Sequence, residues 1–310
     1  MVAKYPGRFK ILFCLCLLLV ASACGRTGPE PAPLTPTAQA ADPTQETPAA
    51  SPTAEEPSPT PAPLAARVNG EGITQEEYEA ELARFASAAG IAPADLPAEE
   101  KNRVLDNLVE ELLLAQAAGE AGYTLDEAGL QARVEQLSAE MGGAQALQGW
   151  MEAQGYSEES FRRSLARSAA AAWMRDRILE ELPGTAEQVH ARQILLPDAA
   201  AAQETLARLE NGVDFATLAR EYDPVAGGEL GWFPRGYLPD RGLEEAAFSL
   251  QPGEHSQVIQ TAAGFHILQV VGREAERLLE PDALLELQFQ ALQSWLDERR
   301  STSEIEILVS

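Results

Sequence analysis

The sequence predicts an α+β fold: a long helical stretch, then a compact module of short strands and helices, then one more helix and strand. Three observations carry this expectation. Between Thr74 and Gly184, apolar residues recur every three or four positions, the period of a helix face. From Val189 to Val271, runs rich in β-branched and aromatic residues are separated by Gly and Pro reversals. After Arg273 a second helical stripe, Leu285, Phe289, Leu292 and Leu296, leads into the alternating Ile305, Ile307 and Val309.

The chain has 310 residues, enough for about two folded domains. Its formal charge is −25, from 48 acidic and 23 basic residues. An acidic surface disfavours polyanions, so nucleic acid is not an expected partner. Residues 1–23 read as a leader. Lys4, Arg8 and Lys10 precede the apolar run Ile11–Ala23, which is too short for a relaxed membrane span. It ends in Ala21-Ser22-Ala23-Cys24-Gly25, which resembles a bacterial lipobox; the usual pattern prefers Leu where Ala21 stands. That resemblance implies cleavage before Cys24 and lipid on its sulfur and new amino terminus. Ordinary secretory cleavage after a small residue is the alternative. Cys14 and Cys16 leave with the leader, so the mature chain keeps only Cys24 and forms no internal disulfide. His190, His255 and His266 have no ligand-like spacing, and neither a metal nor a cofactor is expected. Residues 24–65 are rich in Pro, Thr, Ala and Glu. They hold too little apolar surface to offset ordering entropy and read as a disordered, Pro-stiffened tether.

Residues 66–185 form the helical part. Val68-Asn69-Gly70-Glu71-Gly72-Ile73 reads as a small strand or turn, and Thr74 with Glu77 as a capping box opening a helix. Val104, Leu105, Leu108, Val109, Leu112 and Leu113 mark a helix ending at Gly119. Thr124 and Glu127 make a second capping box ahead of Leu130, Val134, Leu137 and Met141, and Gly142-Gly143 stops that helix. A short helix around Leu147 and Trp150 follows, then a long one from Phe161 to Leu179, ended by Pro183-Gly184. These stripes suit a helix-on-helix core. Trp150, Met151, Trp173 and Met174 also suit a groove for unfolded peptides, because soft and aromatic side chains tolerate varied partners. The pattern alone leaves both readings open.

Residues 186–274 are the mixed module. Val189–Leu196 reads as a strand, Ala199–Glu210 and Asp214–Tyr222 as helices, and Glu229–Phe233 as a strand after the turn Gly227-Gly228. Leu243–Leu250 is a short helix, Gln251-Pro252-Gly253-Glu254 a tight reversal, and Gln257–Thr261 with Phe265–Val271 a hairpin around Ala262-Ala263-Gly264. Leu230, Phe233, Leu238, Leu243 and Phe248 are too many large apolar side chains for so short a segment to hide. With Thr261 and His266 beside them they describe an apolar cup with a polar edge, the usual form of a small binding site.

The module resembles the parvulin family of peptidyl-prolyl isomerases over about residues 187–273. The matching pieces, in order, are Gly227-Gly228-Glu229-Leu230-Gly231-Trp232-Phe233, Glu245-Ala246-Ala247-Phe248, Pro252-Gly253-Glu254, and Thr261 with Gly264-Phe265-His266-Ile267-Leu268. The resemblance implies that Leu230, Leu238, Leu243 and Phe248 grip proline, with Phe233 a further substrate-binding candidate from the apolar pattern, and that Thr261 and His266 form a polar floor beside its carbonyl. It matches Asp223 to a position held by Cys or Asp, although Asp223 before Pro224 is also a turn signal. The chain departs from the family at Gln193, where His is usual; Gln makes hydrogen bonds but does not titrate. His190 lies on the opposite face of the strand and is no substitute. The expected site set is therefore Asp223, His266, Gln193 and Thr261, with the apolar cup.

The opening Val68–Ile73 and its capped helix resemble the amino-terminal domain of the PrsA and SurA families of secreted foldases. That resemblance implies that residues 275–310 return to the amino-terminal domain, so that the parvulin-like module is inserted in a mostly helical chaperone-like domain, with the last strand beside Val68–Ile73. The implied function is a membrane-tethered prolyl isomerase, lipid-anchored through Cys24 at the extracytoplasmic face. It would act on unfolded or partly folded exported polypeptides with X-Pro bonds. Gln193 keeps open a second reading, a catalytically silent holdase that uses the module only to bind peptides. A scaffold lipoprotein with one partner is a third.

Overall fold

The computed structural model of the chain describes residues 62–309. The expected leader, Cys24 and nearly all of the expected tether lie outside those residues. The fold begins with a hairpin of β1 (Leu64–Val68) and β2 (Glu71–Thr74). Asn69 and Gly70 both have positive φ, 50° and 87°, as a two-residue hairpin turn on Asn-Gly requires. The tether was expected to run to residue 65. Instead Leu64 and Ala65 belong to β1, Ala65 is fully buried, and its carbonyl accepts from the N–H of Leu308. The reason is tertiary, since so short an apolar stretch becomes strand only when a partner strand covers it.

Five helices follow: α1 (Gln75–Ala89), α2 (Ala98–Glu120), α3 (Glu127–Glu140), α4 (Ala144–Ala153) and α5 (Glu158–Glu180). Thr74 caps α1 as expected, its Oγ accepting from the N–H of Glu77 at 3.2 Å. The other half of the expected box is absent, because the Glu77 carboxylate pairs with the buried Arg167 of α5. The second expected box shifts by two residues: Asp126 caps α3, accepting from Gly129 N–H at 2.8 Å. A carboxylate next to the first helical turn competes better than the hydroxyl of Thr124. The six apolar residues from Val104 to Leu113 lie under the hairpin with Ala66, Val68, Ile73 and Tyr78.

The mixed module contains β3 (Thr185–Leu196), α6 (Ala199–Glu210), α7 (Phe215–Tyr222), β4 (Glu229–Pro234), α8 (Arg241–Ser249), β5 (Ile259–Thr261) and β6 (Gly264–Leu278). Its four strands form an antiparallel sheet in the order β4-β3-β6-β5. Strands β3 and β6 run further than the sequence suggested, from Thr185↔Leu278 to Leu196↔Phe265. The added length is a two-stranded neck with charged residues on both faces, so it carries no apolar alternation. Gln188, almost fully buried, staples the neck by donating from Nε2 to the carbonyls of Arg277 and Leu278, at 3.0 and 3.1 Å.

The chain then returns. Helix α9 (Pro281–Ser301) packs Leu296 against Leu114, Ala171 and Ile178 of α2 and α5. Strand β7 (Ile305–Ile307) pairs with β1, with Ala66↔Ile307 and Val68↔Ile305, giving a second sheet in the order β2-β1-β7. The fold is therefore α+β, with the strand-rich module inserted in a helical domain closed by both ends of the described chain. Arg300 also pairs with Asp106 at 3.1 Å. An exposed pair of this kind contributes at most about 1 kcal/mol. Burial of Leu296 contributes about 1.5–3 kcal/mol and is the stronger tie.

Candidate active site

The two faces of the module sheet have separate cores, and strand alternation assigns each residue to one of them. Ile194, Leu196 and Ile267 face α6 and α7, among Leu206, Leu209, Phe215 and Leu218. Val189, Ala191, Leu268 and Val270 face α8, among Phe233, Ala247 and Phe248. The period of two carries Gln193 onto the α8 face after Val189 and Ala191, and His266 onto the same face before Leu268. His190 falls on the other face, as expected. Its ring stacks on Trp232 with centroids 5.3 Å apart, and its Nε2 lies 2.9 Å from a Glu229 oxygen.

Leu230 breaks strict alternation. It shares parity with Trp232, which would turn it away from the cup. Ala191 pairs with Gly231 and Arg192 with Glu229, so Leu230 is the extra residue of a β-bulge. Gly231, with φ 75°, supplies the left-handed residue such a bulge uses. The bulge lets Leu230 pack against the α8-side core.

The cup is thus assembled from β4, the loop after it and α8. Leu230, Leu238 and Leu243 are partly buried around its wall, and Phe248 lies beneath them. Phe233 is fully buried and meets Phe248 edge-on at 6.1 Å, so it supports the cup without reaching its surface. Arg235 lies over the Phe248 ring, 4.1 Å from its centroid.

Beside the cup runs a polar chain. His266 Nδ1 lies 2.8 Å from Gln193 Oε1, and its Nε2 lies 2.8 Å from Thr261 Oγ1. An amide oxygen only accepts, so Nδ1 carries the proton and Nε2 accepts from the Thr261 hydroxyl. Thr261 Oγ1 accepts in turn from the N–H of Ala263 at 3.0 Å. Both ring nitrogens and the Thr261 hydroxyl have partners while the imidazole is neutral. His266 is only 4% exposed, and burial pulls its pKa below the ordinary histidine value; the Asp240 carboxylate pushes weakly the other way. Asp240 caps α8 through the N–H of Leu243, which fixes it near the site.

Asp223 is not brought into this chain. One oxygen accepts from the N–H groups of Val225 and Ala226, at 3.2 and 3.0 Å, and the other from Gly228 at 3.1 Å. These bonds hold its carboxyl below the usual range. It caps its own loop, and with Gln193 and Gly228 it lines one small cleft. The reason is the short loop from Asp223 to Gly227, whose free N–H groups turn back onto the carboxylate.

Several residues important to the geometry escaped sequence reasoning. Gly228 lies flat on the Gln193 main chain: a Cβ there would fall 1.9 Å from the Gln193 carbonyl oxygen. Glu244 accepts from the N–H groups of Gly236 and Leu238, at 2.8 and 3.2 Å, and so holds the loop that presents Leu238. Gln290 of α9 donates to the Gly236 carbonyl, tying that loop to the helical domain. Only the glycine pair carried a signal in the sequence. In the helical part, Trp150, Met151, Trp173 and Met174 do not form one groove. Trp150 stacks on Tyr156, Trp173 lies tilted against Tyr123, and Met174 packs on the core under α9.

Comparisons with known proteins divide the chain in the same way. Residues 186–272 match the PPIC-type PPIASE domain, and residues 51–175 match the SurA-like N-terminal domain. A foldase protein PrsA of Geobacillus sp. is 35% identical over 127 residues, 39% of this chain and 45% of that one. A foldase protein PrsA of Caldanaerobacter subterraneus is 29% identical over 240 residues, 67% of this chain and 73% of that one. A chaperone SurA of Ralstonia nicotianae is 28% identical over 253 residues, 69% of this chain and 51% of that one. The chain spans less than half the length of the Geobacillus relative. With residues 186–272 and residues 51–175 matched separately, the chain joins a SurA-like N-terminal domain to a parvulin-type (PpiC) peptidyl-prolyl isomerase domain.

Proposed function

We propose that the chain is a peptidyl-prolyl cis–trans isomerase that assists the folding of exported proteins. The observation that carries this reading is the closed chain Gln193–His266–Thr261 at the edge of an apolar cup. Isomerisation makes and breaks no covalent bond; its barrier of about 18–20 kcal/mol is amide resonance. Planar amide resonance separates charge, so an apolar cup that strips water from the X-Pro bond favours the twisted amide over the planar one. Leu230, Leu238 and Leu243 hold the proline ring while the preceding carbonyl turns. His266 and Thr261 are occupied with each other and with Gln193, so they give that carbonyl a fixed dipolar wall and not a proton. Each ~1.4 kcal/mol of selective stabilisation gives about tenfold in rate. Because no proton moves, Gln193 in place of histidine is compatible with catalysis.

The same reading extends to location. A positive leader, an apolar run and Cys24 support export and lipid attachment at the extracytoplasmic face. Clients would be unfolded or partly folded exported chains with X-Pro bonds. Isomerisation of short X-Pro peptides by the full chain, beside His266→Ala, tests the activity. Acceleration that falls at least tenfold in the variant supports an isomerase. A rate equal to the uncatalysed one, from folded protein, removes it. The holdase reading rests on Gln193 and would then stand if aggregation of an unfolded client were still suppressed.

A further inference from the structure

Helix α3 buries none of its residues, although Leu130, Val134, Leu137 and Met141 lie along one side of it. Of these, Val134 lines a cleft, together with Gln131, Glu135 and Ser138, that is closed by α4 and the start of α5. The cleft has a volume of about 480 Å³ and an apolar floor of Val134, Leu147, Met151, Tyr156 and Phe161. That volume is in the range that holds a small ligand or a few side chains. The floor is firm: Leu147 and Phe161 are buried, and Tyr156 and Phe161 meet edge-on at 5.8 Å.

The rim is mainly acidic. Glu135, Glu152 and Glu158 line the cleft. The one basic residue there, Arg162, is committed to Glu127 and Gln131. Glu135 and Glu152 each receive one side-chain amide, from Gln131 and Gln148, through a single oxygen. The rim therefore carries net negative charge above an apolar floor. The site is separate from the isomerase cup, which is built entirely from the inserted module.

We propose that this cleft is a second polypeptide-binding site, for an apolar segment flanked by Lys or Arg. The apolar side chains seat on Met151, Val134 and Phe161, and the cationic flank lies over Glu135, Glu152 and Glu158. It selects clients by charge as well as by hydrophobicity, while the cup selects for proline. The proposal deepens the foldase reading but does not depend on isomerase activity.

The test uses the full chain and fluorescently labelled peptides without proline, so that the cup has no ligand. Three peptides share one apolar core and carry Arg, Asp or uncharged flanks; binding is read by anisotropy. The Arg-flanked peptide is expected to bind about fivefold or more tighter than the uncharged one. The preference should fade near 1 M salt, where the screening length is about 3 Å. The triple change Glu135→Gln, Glu152→Gln, Glu158→Gln should abolish the preference and leave X-Pro isomerisation unchanged. Val134→Asp should weaken all three peptides. Equal affinity for Arg and Asp flanks, or a preference that survives the triple change, overturns the assignment. Isomerase activity measured on the same preparations reports separately on the cup.

Discussion

His266 donates its Nδ1 proton to Oε1 of Gln193 across 2.8 Å, so a side chain that never titrates sets the tautomer of one that does. Gln193→Leu keeps the volume and removes the acceptor. A buried N–H left without a partner costs about 1–3 kcal/mol, and the denaturation midpoint and the isomerisation rate are expected to fall together. Gln193→His supplies a new acceptor and is expected to stay near the parent in stability. An unchanged midpoint and rate in Gln193→Leu would show that the polar chain has no role.

The depressed pKa of His266 fixes a pH dependence. Below the ordinary histidine value of about 6.5, the unfolded chain takes up a proton before the folded one does. Stability then rises with pH through that window and falls as the solution is acidified. Protonation also forces Thr261 to stop donating, so isomerisation is expected to be flat from neutral to mildly alkaline pH and to decline on the acid side. His266→Phe removes this group, and the difference between its stability–pH curve and that of the parent isolates the contribution. A difference that does not change between about pH 5 and 7 would refute the assignment of a neutral buried ring.

Two glycines with similar φ separate a clash from backbone strain. Gly228, φ 72°, has the Gln193 carbonyl oxygen where a Cβ would go; Gly231, φ 75°, has nothing within 4 Å. Gly231→Ala should cost about 1–2 kcal/mol, the strain of a left-handed residue, and should raise KM because Leu230 rides on that bulge. Gly228→Ala adds the displacement of Gln193 and is expected to cost more than about 3 kcal/mol, read by denaturant unfolding. Equal costs at the two positions would contradict the close approach.

Glu244 organises the wall of the cup without touching its interior. Glu244→Ala leaves the N–H groups of Gly236 and Leu238 without their acceptor. KM for X-Pro peptides is expected to rise about threefold to tenfold with a small change in kcat, since hydrogen bonds to a charged group contribute about 1.5–3 kcal/mol. Glu245→Ala, on the exposed side of the same helix, should change neither.

The sequence by itself determined the element order, the two-part organisation, the apolar cup and the pairing of His266 with Thr261 on one face. Each of these follows from local rules: a period near three and a half or of two, Gly at left-handed turns, Pro at the start of α9. It also located the departure at Gln193, because residue identity at a strand position needs no coordinates. Only the tertiary structure decided how the rest is used. Glu77 left its capping box for Arg167, because a buried guanidinium exerts a stronger pull than one exposed N–H. Asp223 turned to its own loop, because a short loop leaves donors that must be satisfied. Leu230 entered the cup through a bulge that alternation alone excludes. Phe233 became a buried support and not a contact surface, since depth depends on what packs above a side chain and not on its neighbours in the chain. The neck strands and the contact of Gln290 with Gly236 join residues far apart in sequence, and local pattern has no access to such contacts; the return of α9 is implied by the family resemblance and not by local pattern.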